Sequence, residues 1–328
     1  MPAEQLELFP SMGSSGDTDV PDLVVRQQSP GAQSGEQTLD ARTSLAEAIE
    51  GFRGYMREKG FTQHTINSFL GDLSILTRYL KPGRAIGSIS TKDLKDFLHY
   101  LLYGRGTPCN PKSYARRLTT LKVFFLWLAD TEVISVDPAA PIVHEPVSTP
   151  LPEILFDDEV ERLLGAAQMW RMGEKPDTRP LLLFRLLLAT GIKKAECMAI
   201  KLSDLDLSQE DAGALLVRYD NPRRKHKERK LGLGAGFAGL LREYRSQYHP
   251  QVHLFECTNR NLEYVLRDLG RAAAIEKPVS FETLRMTCAV RDFRRGMDSE
   301  ALRLKLGLSR ISWEETAKKI ELLAADPL

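Results

Sequence analysis

A mainly helical protein with a small β-sheet, divided into two domains behind an acidic arm, is what this sequence predicts. Three observations carry that expectation. Apolar residues recur at helical spacing from Ser44 onward, Pro138, Pro141, Pro146, Pro150 and Pro152 crowd one short stretch, and a β-like run at residues 214–219 adjoins a basic cluster. The chain has 328 residues and 42% hydrophobic content, enough apolar material for two cores.

The helices follow from local signals. Leu45, Ile49, Phe52 and Met56 share one face of a first helix that Gly60 stops. A second stripe runs through Ile66, Phe69, Leu70, Leu73, Leu76 and Leu80, and the turn Lys81-Pro82-Gly83 ends it. Ser90 suits the N-cap of a third helix, with Leu94, Phe97, Leu98, Leu101 and Leu102 inward. Asn110-Pro111 opens a fourth, since proline is tolerated at the first helical position, and Leu118, Leu121, Phe124, Phe125 and Leu128 are its core side. Residues 44–135 therefore read as a helical bundle, and the proline-dense residues 136–152 as a semi-rigid linker.

The second domain, residues 153–328, opens with a helix that Asp157 can cap. A long apolar helix over about 179–190 follows. After it come the strand at 214–219, a basic hairpin, a short strand near 230–233 and helices to the end.

The formal net charge of +1 conceals an asymmetry. The first 43 residues hold seven acids and two bases, so they carry −5 and the remainder +6. A basic body of this kind suits a polyanion partner. The arm is rich in Gly, Ser, Gln, Pro and Asp and poor in large apolar residues, which predicts disorder. No run of eighteen apolar residues occurs and the start MPAEQLELFP has no greasy leader, so a cytoplasmic protein outside the membrane is expected. Cys109, Cys197, Cys257 and Cys288 lie far apart and read as reduced thiols. His249, His253 and Cys257 match no standard zinc spacing, so no metal and no cofactor are expected.

Several segments in order resemble the tyrosine recombinases, or phage-type integrases. GFTQHTINSFLGDLSILTRYL and NPKSYARRLTTLKVFFLWL are similar to the helices of that family's N-terminal domain. LPEILFDDEVERLL, ATGIKKAE, KLSDLDL, RRKHKERK, SFETLRMTCA and LGLSRIS resemble successive boxes of its second domain. The resemblance implies an N-terminal SAM-like four-helix core-binding domain and a C-terminal domain of the tyrosine-recombinase catalytic type, with double-stranded DNA as partner.

In that family two arginines clamp the scissile phosphate, a hairpin lysine protonates the leaving oxygen, two further groups assist, and a tyrosine attacks phosphorus. By position, the resemblance places Lys193 at the first arginine and Lys227 at the hairpin lysine. Arg285 keeps the second arginine, while Glu282 and Met286 stand where the box has histidines. Leu308 occupies the supporting histidine position and Ala317 the tyrosine position. A lysine at 193 loses the planar fork that grips phosphate, and a carboxylate at 282 repels it. After Tyr264 the chain has no tyrosine, and after His253 no histidine. The expectation is a protein that is not an enzyme, a regulator or architectural factor that binds DNA without cutting it. The alternatives are a divergent recombinase with a nonstandard or partner-supplied nucleophile, and an interaction scaffold without DNA binding. Ser309 and Ser312 read as helix-cap serines.

Phosphate contacts are expected from Arg116 and Arg117 on the fourth helix, with Lys112 and Arg116 reaching base edges. In the second domain they are expected from Lys193, from Arg223, Arg224, Lys225, Lys227 and Arg229 of the hairpin, and from Arg285, Arg291, Arg294 and Arg295. The arm motif Gln5-Leu6-Glu7-Leu8-Phe9 resembles the short peptides that dock on the bacterial sliding clamp, Leu8 and Phe9 filling an apolar pocket and Gln5 hydrogen-bonding beside Leu6. Residues 313–325 have helical character, and in relatives such a tail packs on a neighbouring protomer, so self-association through the C-terminal helix is expected unless the tail folds back.

Overall fold

A computed structural model of the chain describes residues 39–143, 150–207 and 213–325, which fall into two compact units separated near residue 150. The arm motif at Gln5, Leu6, Leu8 and Phe9 lies outside the described residues.

The N-terminal unit holds four α-helices: α1 (Leu45–Glu58), α2 (Gln63–Leu80), α3 (Thr91–His99) and α4 (Pro111–Asp130). Each starts where a short polar side chain satisfies the first free N–H groups. The Ser44 hydroxyl accepts from Glu47 N–H while the Glu47 carboxylate accepts from Ser44 N–H, a reciprocal box that Ser90 and Asp93 repeat at α3. Asn110 caps α4 by accepting from Lys112 N–H at 2.9 Å, ahead of Pro111. The helix α3 passes into a π-helical turn, Tyr100–Gly104, which the spacing of Leu101 and Leu102 did not reveal.

Aromatic rings lock α1 to α4. Phe52 meets Phe124 edge-on at 5.3 Å and lies 5.3 Å from Trp127. Ile134, Ala139 and Ile142 are buried in the same core, and Thr91 Oγ1 donates to the Pro138 carbonyl. The chain therefore stays with this unit to residue 142, beyond the limit of 135 that the prolines suggested.

The C-terminal unit is built on α6 (Arg179–Thr190), whose sequence RPLLLFRLLLAT is apolar nearly all round and is correspondingly enclosed. Around it pack α5 (Asp157–Met172), α8 (Phe237–Tyr248), α9 (Asn259–Ala272) and α10 (Phe281–Arg294). The capping position of α5 is Phe156, one residue before the expected Asp157, because the Glu159 carboxylate reaches back to Phe156 N–H at 2.7 Å. The short α7 (Lys194–Ala199) leads into an antiparallel sheet of β1 (Leu205–Asp206), β2 (Ala214–Val217) and β3 (Arg229–Gly232), with β2 central. Leu215 pairs with Leu205 on one side and Leu231 on the other. The connection from β2 to β3 is a 3₁₀ segment, Pro222–Lys227, in place of a plain hairpin loop, and Asn221 caps it by accepting from Arg223 N–H.

Two helices close the unit, α11 (Ser299–Leu306) and α12 (Arg310–Ala325). The Ser309 hydroxyl accepts from Ser312 N–H, the capping role expected of it. Helix α12 folds back on its own unit: Ile320 is buried with Met286, Val290 and Leu302, and Arg294 donates to the carbonyls of Leu323 and Ala324. A tail held in this way buries Ile320 and satisfies two of its C-terminal carbonyls within its own unit.

Candidate nucleic-acid interface

Two left-handed glycines shape the site. Gly191 (φ 59°) ends α6 and Gly307 (φ 60°) ends α11, each turning the chain sharply where a side chain would be strained. A Cβ at Gly307 would lie 2.7 Å from Arg229 Nη1, so the guanidinium packs directly on this backbone.

Arg285, in the second turn of α10, joins the two helix ends. Its Nη1 donates to the Gly191 carbonyl and its Nη2 to the Leu306 carbonyl at 2.7 Å. Helix C-termini carry partial negative charge, so a cation spanning two of them is well placed. No described carboxylate pairs with Arg285, which is only 7% exposed, and burial pulls its guanidinium below the usual arginine range.

Beside it lies a second arginine with a full partner. Arg229 on β3 grips Glu196 of α7 bidentately, at 3.0 and 2.9 Å, and its Nε donates to the Lys305 carbonyl at 2.7 Å. The Glu196 carboxylate also accepts from Lys193 N–H at 2.8 Å and from the Tyr219 hydroxyl. Burial alone would raise the Glu196 acid, but hydrogen bonding and charge from Arg229, then Tyr219 and Lys193, more than offset it and bring it down to about 2. Tyr219 is pushed up by burial and by the facing carboxylate. A second pair, half-buried Lys305 with buried Asp292 at 2.5 Å, ties α11 to α10.

The sequence-predicted residues divide sharply in this frame. Lys193 is half-buried at the start of α7, and Lys227 is half-buried at the end of the 3₁₀ segment, its carbonyl accepting from Arg229. Arg223 and Lys225 are exposed on that segment and Arg224 is half-buried. Glu282 is exposed on the first turn of α10, where it faces solvent, while Met286 and Leu308 are core residues beneath the site. Ala317 is half-buried within α12.

Four of the arginines expected to contact DNA have partners within the protein. Arg229 is consumed by Glu196, Arg294 holds the end of α12, and Arg117 is turned inward on Asp72 and Cys109 in the other unit. Arg116 shares Asp72 at 3.0 Å and is the more exposed of the two arginines. Arg291 faces Asp157 at 3.5 Å, and Arg295 is exposed. The sequence displays the cations, but their partners arrive only with the fold. Glu196 and Tyr219 were missed as site residues, although Glu196 sits in the quoted ATGIKKAE box and only its role was unread. Among the described residues no group of three or more His, Cys, Asp or Glu stands ready for a metal, and no helix is long and apolar enough to cross a membrane.

Residues 49–132 match the family model described as the phage integrase N-terminal SAM-like domain, and residues 153–314 match the model of the phage integrase family. The chain belongs to the phage integrase family of tyrosine recombinases. Among its relatives, a tyrosine recombinase XerD of Listeria innocua serovar 6a is 25% identical over 78% of this chain and 87% of its own length. The XerD of Oceanobacillus iheyensis is 27% identical over 82% of this chain and 92% of its own. A tyrosine recombinase XerC of Staphylococcus haemolyticus is 25% identical over 78% and 86%. In solved structures the fold matches a λ integrase dimer bound to a COC′ core site, with TM-score 0.67, 15% identity and coverage of 87% of this chain and 79% of that one. It also matches the XerH recombinase bound to palindromic difH in a post-cleavage complex, with TM-score 0.65, 18% identity and coverage of 85% and 82%.

These relatives overturn the expectation that the integrase-type chain is not an enzyme. Proteins matched along most of their length are named tyrosine recombinases, and tyrosine recombinases are enzymes. The fold, mainly helical with a three-stranded sheet and a SAM-like first unit, is as the resemblance implied.

Proposed function

We propose that this protein binds duplex DNA in the cytoplasm as a component of a site-specific recombination assembly, its phosphate site completed by a tyrosine that a partner protomer supplies. One observation carries the DNA-binding part. Arg285 is buried without a described carboxylate partner, and the same unit exposes Arg223 and Lys225 on the basic segment that leads into the strand of Arg229. A buried cation whose charge is not neutralised within the protein strengthens the pull on an outside anion, and a DNA backbone phosphate is the anion the family's members engage. Support for a partner's tyrosine comes from the sequence, which has none beyond Tyr264. The λ integrase and XerH structures that share this fold are bound to a COC′ core site and to a palindromic difH substrate.

Duplex DNA is expected to be retarded by the purified protein at low salt, with affinity falling at least tenfold between 50 and 200 mM salt. No retardation at the lower salt, over a randomised duplex pool, would remove the proposal. A nicked suicide substrate tests the second part: a covalent adduct is expected only when a tyrosine-bearing recombinase is added, and an adduct with this chain alone overturns the partner's role. Self-association through α12 belongs to the same proposal, using exposed Ile311 and Leu322 in place of the buried Ile320, and the stoichiometry of the retarded complex reads it. For the arm, the proposal rests on sequence: Gln5, Leu6, Leu8 and Phe9 dock on a sliding clamp. Full-length protein is expected to be captured on immobilised clamp and lost with L8A/F9A; equal capture of both removes that partner.

A further inference from the structure

The N-terminal unit contains a charge cluster that the site above does not use. Asp72, on α2, is buried, with its side chain 4% exposed. It accepts from Arg116 at 3.0 Å, from Arg117 at 3.3 Å and from Thr120 at 3.1 Å, all on α4. One carboxylate thus serves two guanidiniums. Each arginine has a second tether: Arg116 Nη1 donates to the Ser68 carbonyl at 3.2 Å, and Arg117 Nη1 to Cys109 Sγ.

The two arginines are not equivalent. Arg117 is 13% exposed and closed in by Asp72 and Cys109, whereas Arg116 is 29% exposed at the edge of the cluster. Asp72 neutralises one positive charge and leaves another, and the more open guanidinium is the one that faces outward with donors to spare. We infer that Asp72 is a positioning residue for a second phosphate contact, one in which Arg116 meets the DNA backbone while Arg117 anchors the carboxylate. The inference rests on the DNA-binding function proposed above and names its contact on the N-terminal unit.

A guanidinium held by a buried carboxylate and a carbonyl loses little freedom when a phosphate arrives, so binding costs less than for a free surface arginine. Electrostatics alone gives the opposite forecast for removing the carboxylate. Asp72→Asn raises the net charge by one, which by itself tightens binding to a polyanion. Loss of positioning weakens it.

Duplex binding by the full chain is measured from 50 to 200 mM salt for wild type, Asp72→Asn, Arg116→Ala and Arg116→Lys. Arg116→Ala is expected to make the slope of log affinity against log salt shallower by about 0.9, equivalent to about a threefold smaller loss across that range. Asp72→Asn is expected to shift the slope in the same direction despite its added charge. A slope unchanged or steeper in a folded Asp72→Asn protein overturns the inference. Should that variant not fold, Arg116→Lys decides. It keeps the charge but cannot span Asp72, Ser68 and phosphate together, so affinity is expected to drop about threefold at fixed salt, one contact's worth. Wild-type affinity in Arg116→Lys counts against the positioning role. Failure of the wild type to bind at all would instead remove the underlying DNA-binding function.

Discussion

Replacing Arg285 with alanine is expected to lower the unfolding free energy by about 3–5 kcal/mol. Two helix ends depend on this side chain, because its donors satisfy the carbonyls of Gly191 and Leu306. Charge-assisted hydrogen bonds of this kind are worth about 1.5–3 kcal/mol each, and truncation also leaves a cavity inside α10. Arg285→Lys should recover only part of the loss, since a point ammonium cannot bridge two acceptors as a planar fork does. Urea unfolding of the three proteins at neutral pH measures the effect. An opposing cost exists, the burial of a cation with no carboxylate beside it. If Arg285→Ala were as stable as wild type or more so, that cost would exceed the gain from the two capped helices, and the structural role assigned to Arg285 would fall.

Glu196→Gln is expected to cost about 3–5 kcal/mol at pH 7, because it strands the Arg229 guanidinium in a buried position without a counter-charge. The pH dependence identifies the cause. The acid ordinarily titrates near 4.5 and is held at about 2 in the folded protein. A carboxyl group depressed by folding contributes stability that is fully present above the unfolded value and disappears as pH falls through the folded one. The shift corresponds to about 3 kcal/mol. The stability gap between wild type and Glu196→Gln should therefore be constant from pH 7 to about pH 5, then narrow steadily toward pH 2. Chemical unfolding at a series of pH values reads the gap directly. A gap that stays the same down to pH 3 would mean that Glu196 is not the charged partner of Arg229.

Much of the architecture was legible because its causes are local. Ser44, Ser90 and Asn110 cap helices within three residues of themselves, and Gly60 ends α1 through its own backbone. The apolar run at residues 179–190 became the central helix α6 with the expected limits. Where the reading slipped, a side chain a few residues away had intervened: Glu159 moved the start of α5 from Asp157 to Phe156, and the strand expected at 214–219 stops at Val217 before the 3₁₀ segment begins.

The candidate site divided along another line. The order of its boxes and the identities of Lys193, Lys227, Arg285, Leu308 and Ala317 are sequence facts, and so is the absence of tyrosine after Tyr264. Which arginines remain available to a phosphate is a tertiary fact. Arg229 finds Glu196 33 residues away, Arg285 finds Gly191 94 residues away, and Arg116 finds Ser68 across 48 residues. Helical periodicity and caps act over three or four positions, so the amino-acid order by itself determined the elements and the chemical inventory. A cation's partner is chosen by packing of distant segments, and only the folded chain could decide which charges are neutralised inside and which are left facing solvent.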